Sequence, residues 1–203
     1  MIEDIISYNR FDHVDLDLPS KTLWATCNVG ARKPSDSGLY FQWGDTIGYS
    51  KDQVGKDKQF TWNDYKWNPS GYGRTYTKYT NPGAKLEPED DAANFHMGGS
   101  WHIPSPAQIQ ELLDNTTNEW AILDGVNGRL FKSKKNLFKS IFIPAAGYAR
   151  DGSVNDSGSF GFIWSSMLGD NSVSYGRGLG FFSGNVNLFS DCRDDGFPIR
   201  GIY

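Results

Sequence analysis

Gly98-Gly99-Ser100-Trp101-His102-Ile103-Pro104-Ser105-Pro106-Ala107-Gln108-Ile109-Gln110-Glu111-Leu112-Leu113 holds the end of one helix and the start of another. Ser105 reads as an N-cap, Pro106 takes the first helical position, and Gln108 completes a capping box. Ile109, Leu112 and Leu113 then form an apolar stripe at helical spacing, which reads as a core face. Upstream, Glu89, Asp90 and Asp91 place negative charge in the first turn of a helix, where the positive helix end favours it. That helix runs through Ala92, Ala93 and Phe95 and stops at Gly98-Gly99.

The sequence on either side of these helices is strand-like in short pieces. Before them lie apolar runs at Thr22 to Val29 and Leu39 to Trp43, punctuated by Gly and Pro. Residues 44 to 88 are polar, aromatic and turn-rich, and read as loops. After the helices come strand candidates at Arg129 to Ser133, Ser140 to Ile143, Phe160 to Ser165, Leu179 to Phe182, Asn185 to Phe189 and Phe197 to Ile202. Strands, two central helices and many short strands predict a loop-rich α+β domain, with both helices packed on short antiparallel strands. Residues 1–13 read as an N-terminal arm and residues 14–203 as the domain.

A chain of 203 residues is long enough to bury a core without disulfides or metal. Its two cysteines, Cys27 and Cys192, form neither a disulfide framework nor a zinc motif; one bridge between them is open, and two free thiols are the favoured reading. The net charge is −4 and there is no basic tract, so nucleic acid is not an expected partner. No stretch is long and apolar enough to insert across a membrane. Met1 to Arg10 lacks the basic start and apolar run of a secretory signal. Aromatic residues make up 15% of the chain, which points to rings facing a ligand as well as rings in the core.

Catalytic patterns are weak. His96 and His102 flank Gly98-Gly99 at no ligand spacing and read as hydrogen-bonded histidines, as does His13. The carboxylate pairs Asp15/Asp17, Asp90/Asp91 and Asp194/Asp195 are explained by helix starts and solvated loops. Asp170-Asn171-Ser172 and Asp191 to Asp195 offer oxygens for calcium, a common pattern without it. There is no Gly-x-Ser-x-Gly elbow and no phosphate loop. Cys27 lies in an apolar run, where a thiol is inert. No metal and no cofactor is expected.

The composition changes after Lys139. From Ser140 to Tyr203 there is no Lys, Glu, Gln, Thr or His, while Gly, Ser, Asn, Asp, Arg and Phe abound. Small residues mixed with rings and Arg fit either an ordinary Gly-rich sheet or a contact surface.

Several segments carry a family resemblance when taken in order. They are Val14-Asp15-Leu16; Leu23-Trp24-Ala25-Thr26-Cys27-Asn28-Val29-Gly30-Ala31; Tyr40-Phe41-Gln42-Trp43-Gly44-Asp45; and Asp90-Asp91-Ala92-Ala93. Then come Gly98 to Pro104, Gly125-Val126-Asn127-Gly128 and Ile141 to Tyr148. Trp164-Ser165-Ser166, Ser183 to Asn187 and Gly196-Phe197-Pro198-Ile199-Arg200 complete the set. From about Val14 to Ile202 this resembles the Bacteroidales and Fibrobacter surface-protein paralogues with a formylglycine-generating-enzyme-like, C-type-lectin-type fold. The C-terminal part also resembles the variable region of diversity-generating retroelement target proteins. In that system template adenines become random bases, and diversified Asn codons never yield Lys, Glu, Gln, Met or Trp. Trp164 and Met167 would therefore be scaffold.

The resemblance implies a C-type lectin-like fold, no enzymatic activity, and a ligand-binding region at about 147–196. The displayed positions would be Arg150, Asp151, Ser153, Asn155, Phe160, Phe162, Tyr175, Arg177, Gly180, Phe182, Leu188, Phe189, Ser190, Asp191, Cys192 and Asp194. Phe160 and Phe162 share strand parity with Trp164, so core and display both stay open for them. Arg150, Phe189 and Asp191 are expected to be replaceable by Ala at little cost in stability. The partner would be a protein or glycan on a cell or virion surface, with the chain itself on a virion or bacterial surface.

Two other readings share the fold. One is a fixed adhesin or glycan-binding module with a constant aromatic face. The other is an oxidase of the formylglycine-generating type. Against calcium-dependent sugar binding, Trp62-Asn63-Asp64 lies far upstream of the C-terminal strands and has no Glu-Pro-Asn or Gln-Pro-Asp partner. Against the oxidase, only Cys192 stands where that family uses two cysteines.

Overall fold

The computed structural model describes residues 12–71 and 75–203. The expected N-terminal arm, residues 1–13, therefore lies largely outside the described residues, although His13 already pairs with Ala25. Strand is the dominant regular structure and helix the minor one.

Two short strands, β1 (His13–Asp15) and β2 (Leu23–Ala25), pair antiparallel. The apolar run at Thr22 to Val29 is thus a strand for three residues only. Leu39 to Trp43 forms no strand; Tyr40 and Phe41 make single bridges to Tyr49 and Phe197. Single 3-10 turns at Trp62–Asp64 and Pro88–Asp90 punctuate the loops at residues 44–71 and 75–91.

Helix α1 (Ala92–Met97) starts later than its acidic residues predict. Pro88 favours a 3-10 turn that absorbs Glu89 and Asp90. Asp91 then caps α1 by accepting from the Asn94 amide at 3.0 Å. Gly98 ends the helix at φ 73°. Helix α2 (Pro106–Asn115) has the cap read from sequence: Ser105 and Gln108 form a reciprocal box.

Two antiparallel three-stranded sheets follow. The first is β3 (Thr116–Leu123), β4 (Val126–Ser133) and β5 (Ser140–Pro144), in that order. The second consists of β8 (Phe160–Gly169), β9 (Ser172–Phe182) and β10 (Asn185–Cys192), with β9 central. Between them, β6 (Tyr148–Arg150) and β7 (Ser153–Asn155) form a small hairpin. Phe197 to Ile202 is not a strand. It threads the interior through lone bridges from Phe197 to Phe41 and from Ile202 to Trp24 and His102. Arg200 pins this segment, donating to Asn28 Oδ1 and to the carbonyls of Ala25 and Phe142 at 2.9 Å each.

The second sheet separates two cores. Its inner face gives Ile163, Leu179 and Phe181 to a cluster with Ile109 and Leu112 of α2 and with Phe131, Ile141 and Ile143 of the first sheet. Its outer face gives Trp164 to a cluster with Phe41, Trp43, Ala92, Ala93 and Phe197 from the loop layer. Helix α2 packs on the second sheet, whereas α1 belongs to the loop layer. Trp43 and Trp164 tie the layers together, donating to the carbonyls of Ser165 and Phe41 at 2.9 and 2.7 Å. Arg193 is fully buried between the rings of Trp43, Tyr65 and Tyr76 and donates to the Tyr65 hydroxyl at 2.6 Å.

Candidate functional site

The loop layer covers the outer face of the second sheet at the Trp164 end, while Phe160 and Phe182 at the other end remain 37% and 40% exposed. Residues directly opposite in a ladder share a face. The outer rows are therefore Phe160–Phe182–Asn185, Phe162–Gly180–Asn187 and Trp164–Gly178–Phe189. The inner rows carry Phe181–Val186 and Ile163–Leu179–Leu188.

A continuous aromatic face results. Phe160 stacks on Phe162 at 6.3 Å between centroids and meets Phe182 at 5.4 Å. Phe162 meets Phe189 at 5.2 Å, Tyr148 at 5.7 Å and the buried Phe197 at 5.0 Å. Glycines in the central strand make room for the rings. A Cβ on Gly180 would lie 3.1 Å from Phe189 and 3.4 Å from Phe162; one on Gly178 would lie 2.4 Å from the Ile163 carbonyl oxygen. The sheet thus has side chains on its edge strands and a bare trough along its middle, into which the rings lean.

The β6–β7 hairpin forms the polar wall. Its turn, Asp151-Gly152, has φ of 49° and 72°, the left-handed pair of a two-residue hairpin. Tyr148 and Arg150 share a hairpin face with Asn155 and Ser153. The Arg150 guanidinium lies 5.0 Å from the Tyr148 ring centroid. Its Nε donates to Asp195 Oδ1 at 2.6 Å, a second nitrogen bonds Asp195 Oδ2, and the same nitrogen reaches Asp191 at 3.1 Å. Burial, reinforced by Asp191, pushes the Asp195 carboxyl up to about 6 against the pull of Arg150. Arg150 itself is held firmly protonated by its bonds to Asp195.

The predicted display positions divide. Arg150, Phe160, Phe162, Phe182, Phe189 and Asp191 meet on the aromatic face, with Asp151, Ser153 and Asn155 on its hairpin wall. Gly180 contributes floor rather than a side chain. Tyr175, Arg177 and Ser190 lie elsewhere, lining a cleft with Asp170 to Ser172, where Arg177 pairs with Asp170 at 3.0 Å.

Three expectations need correction. Leu188 is not displayed; strand parity turns it inward against the first core cluster. Asp194 is buried, 5% exposed, because the chain dives into the interior after β10. Arg150 and Phe189 are not free surface groups, since one neutralises a buried carboxylate and the other packs on Phe162 and Phe197. Cys192 is half-buried. Burial and the neighbouring aspartates push its thiol up to about 11, which leaves it protonated and poorly nucleophilic at neutral pH.

Other candidate groups are engaged structurally. Asp64 of the Trp62-Asn63-Asp64 triplet accepts from the amides of Gln59, Phe60 and Thr61, at 2.9, 3.0 and 2.8 Å. His96 and His102 bond the carbonyls of Thr46 and Ser100. Cys27 and Cys192 are free thiols. Asp191, Cys192 and Asp195 lie close enough to share an ion, but Arg150 already supplies the positive charge there.

Sequence reasoning missed Tyr148, Asp195, Asn185 and Asn187 as members of this surface. For the asparagines the signal was available: Asn185, Asn187 and Phe189 alternate with the apolar Val186 and Leu188. Nothing local marks Asp195 as the partner of Arg150, which is 45 residues away. Compared with protein-family models, with curated proteins and with solved structures, the chain matches none.

Proposed function

We propose that this chain is a non-catalytic binding protein that captures a macromolecular partner on the aromatic face of its second sheet. The observation that carries the reading is the uncovered end of that face. Phe160 and Phe182 are large apolar groups left in water, continuous with half-buried Tyr148, Phe162 and Phe189. Aromatic residues beside an Arg are the groups that usually supply binding energy. Phenylalanine has no polar atom to meet sugar hydroxyls, so the patch suits a protein partner with apolar side chains better than a glycan.

On this reading the fold is of the C-type lectin kind and the frame is constant. Outward positions in the region about 147–196 are diversified by a retroelement, on a virion or a bacterial surface. Support comes from the residue usage after Lys139 and from exposed positions such as Asp151, Ser153, Asn185 and Asn187 surrounding a heavily anchored interior.

The test is an array of surface proteins and glycans screened with the native chain and with Phe160→Ala/Phe182→Ala. The expected outcome is a protein hit lost in the double variant while its melting temperature holds. Undiminished binding by that variant would refute this face as the site, and a glycan hit shared with close natural variants would favour the fixed adhesin. A reverse transcriptase gene nearby, with a near-copy of the codons for residues 140–203, would establish diversification.

A further inference from the structure

A second site lies apart from the aromatic face. A cavity of about 510 Å³ opens between the loop before α1, the segment leading to α2, and β8. That volume is within the range of small-molecule pockets. Leu86, Pro88, Trp101 and Ile103 make it mainly apolar, and Ser166 and His102 add polar groups.

Ser166 is the unusual member. The pairing of β8 with β9 shifts register between Trp164 and Leu168, so Ser166 sits on a bulge. Bulges commonly re-aim a side chain beside a functional site. Both backbone groups of Ser166 are used: its amide donates to the Pro104 carbonyl at 2.9 Å, and its carbonyl accepts from Leu86 at 2.8 Å. Ser166 is 2% exposed, and its hydroxyl has no hydrogen-bond partner among the described residues. Buried hydroxyls are nearly always bonded, so an unbonded one on a residue that lines a cavity asks for a partner. His102 donates through Nδ1 to the Ser100 carbonyl at 2.8 Å, which leaves Nε2 of the neutral ring as an acceptor.

The acids that line the cavity have partners. Asp91 has one oxygen accepting from the Asn94 amide and the other from the Ile103 amide; Glu87 is paired with Lys78; Lys85 lies at the rim. The acidic group at the rim, Glu87 with Glu89 and Asp90, already shares the Lys78 ammonium, so the apolar interior rather than charge sets the kind of ligand. We propose that this cavity binds a neutral, ring-sized, mainly apolar molecule whose single hydroxyl bonds Ser166.

Phenol and toluene, nearly equal in size and differing in the hydroxyl, test this by amide chemical-shift titration of the native chain and of Ser166→Ala. Phenol is expected to shift the amides of Ile103, Ser166 and Leu86 and to bind about tenfold more tightly than toluene, the worth of roughly one hydrogen bond. In Ser166→Ala that preference should vanish while toluene binding is unchanged. The variant should melt no lower than the native chain, since it loses a hydroxyl that bonds nothing. Shifts elsewhere or no shifts, an equal preference in both proteins, or a lower melting temperature for Ser166→Ala would each overturn the proposal.

Discussion

Arg150 and Asp195 show how a residue on the proposed binding surface can also be part of the frame. Asp195 is 1% exposed on its side chain, and Arg150 is the cation that faces it. Removing the guanidinium leaves a buried carboxyl with its strongest partner gone. Arg150→Ala should therefore cost about 2 kcal/mol in denaturant unfolding, after allowance for the partial exposure of Arg150. A change within about 0.5 kcal/mol, the usual range for a plain surface site, would contradict this. The same pair makes a pH prediction. Burial raises the folded-state pKa of Asp195 from 3.8 to about 6, so the folded chain holds this proton more tightly than the unfolded one. Its contribution to stability is complete below about 4 and is lost as pH rises through about 6. The Asp195 carboxyl carbon should titrate with a midpoint near 6. In Arg150→Ala the midpoint should move higher still. A midpoint in the ordinary carboxylate range would show that the ion pair outweighs burial.

Strand β9 sets the shape of the aromatic face through what it lacks. Gly178 and Gly180 lie on one face of one strand, yet their surroundings differ. A methyl at Gly178 would collide with the Ile163 carbonyl, which is fixed in the ladder, whereas one at Gly180 would press only on the rings of Phe189 and Phe162. Gly178→Ala should thus cost about 1–3 kcal/mol. Gly180→Ala should cost less and instead tilt the rings, weakening partner capture. Equal melting temperatures for the two variants would contradict this account. These elements also show why some of the fold was legible in the sequence. The α2 cap was readable because every bond in it lies within three residues of Ser105. The β3–β4 hairpin carried an equally local signal, Asp124-Gly125, whose φ of 52° and 78° suit a two-residue turn. Its first strand, Thr116–Leu123, opens on four polar residues directly after α2 with no turn between, which masked the pairing although Trp120 to Leu123 is an apolar run. Phe197 to Ile202 misled in the other direction. Its apolar residues are buried by core packing around a loop, and burial without a continuous ladder leaves the same mark on a sequence as a strand does.

At the scale of the whole molecule, the second sheet is buried on its inner face and only partly covered on its outer one. Arg193 and Arg200 anchor the loop layer, each fully buried and bonded to carbonyls from distant segments. That layer stops short of Phe160 and Phe182. The division separates positions that hold the fold from positions that only meet solvent, often within one strand. Leu188 faces the core while Asn187 beside it is exposed, and Val186 packs inward while Asn185 does not. A diversified binding protein requires this separation, because random change must reach the partner without reaching the core. A library randomised one position at a time, sorted by protease resistance, measures it directly. Asp151, Ser153, Phe160, Phe182, Asn185 and Asn187 should accept most residue types. Leu188, Arg193, Asp194 and Gly178 should accept few, and Arg150 and Phe189 should fall between, since each both touches the open face and supports a buried group. If Phe160 and Phe182 were depleted as strongly as Leu188, the exposed rings would be part of the folding core, and the surface would lose its claim to be free for recognition.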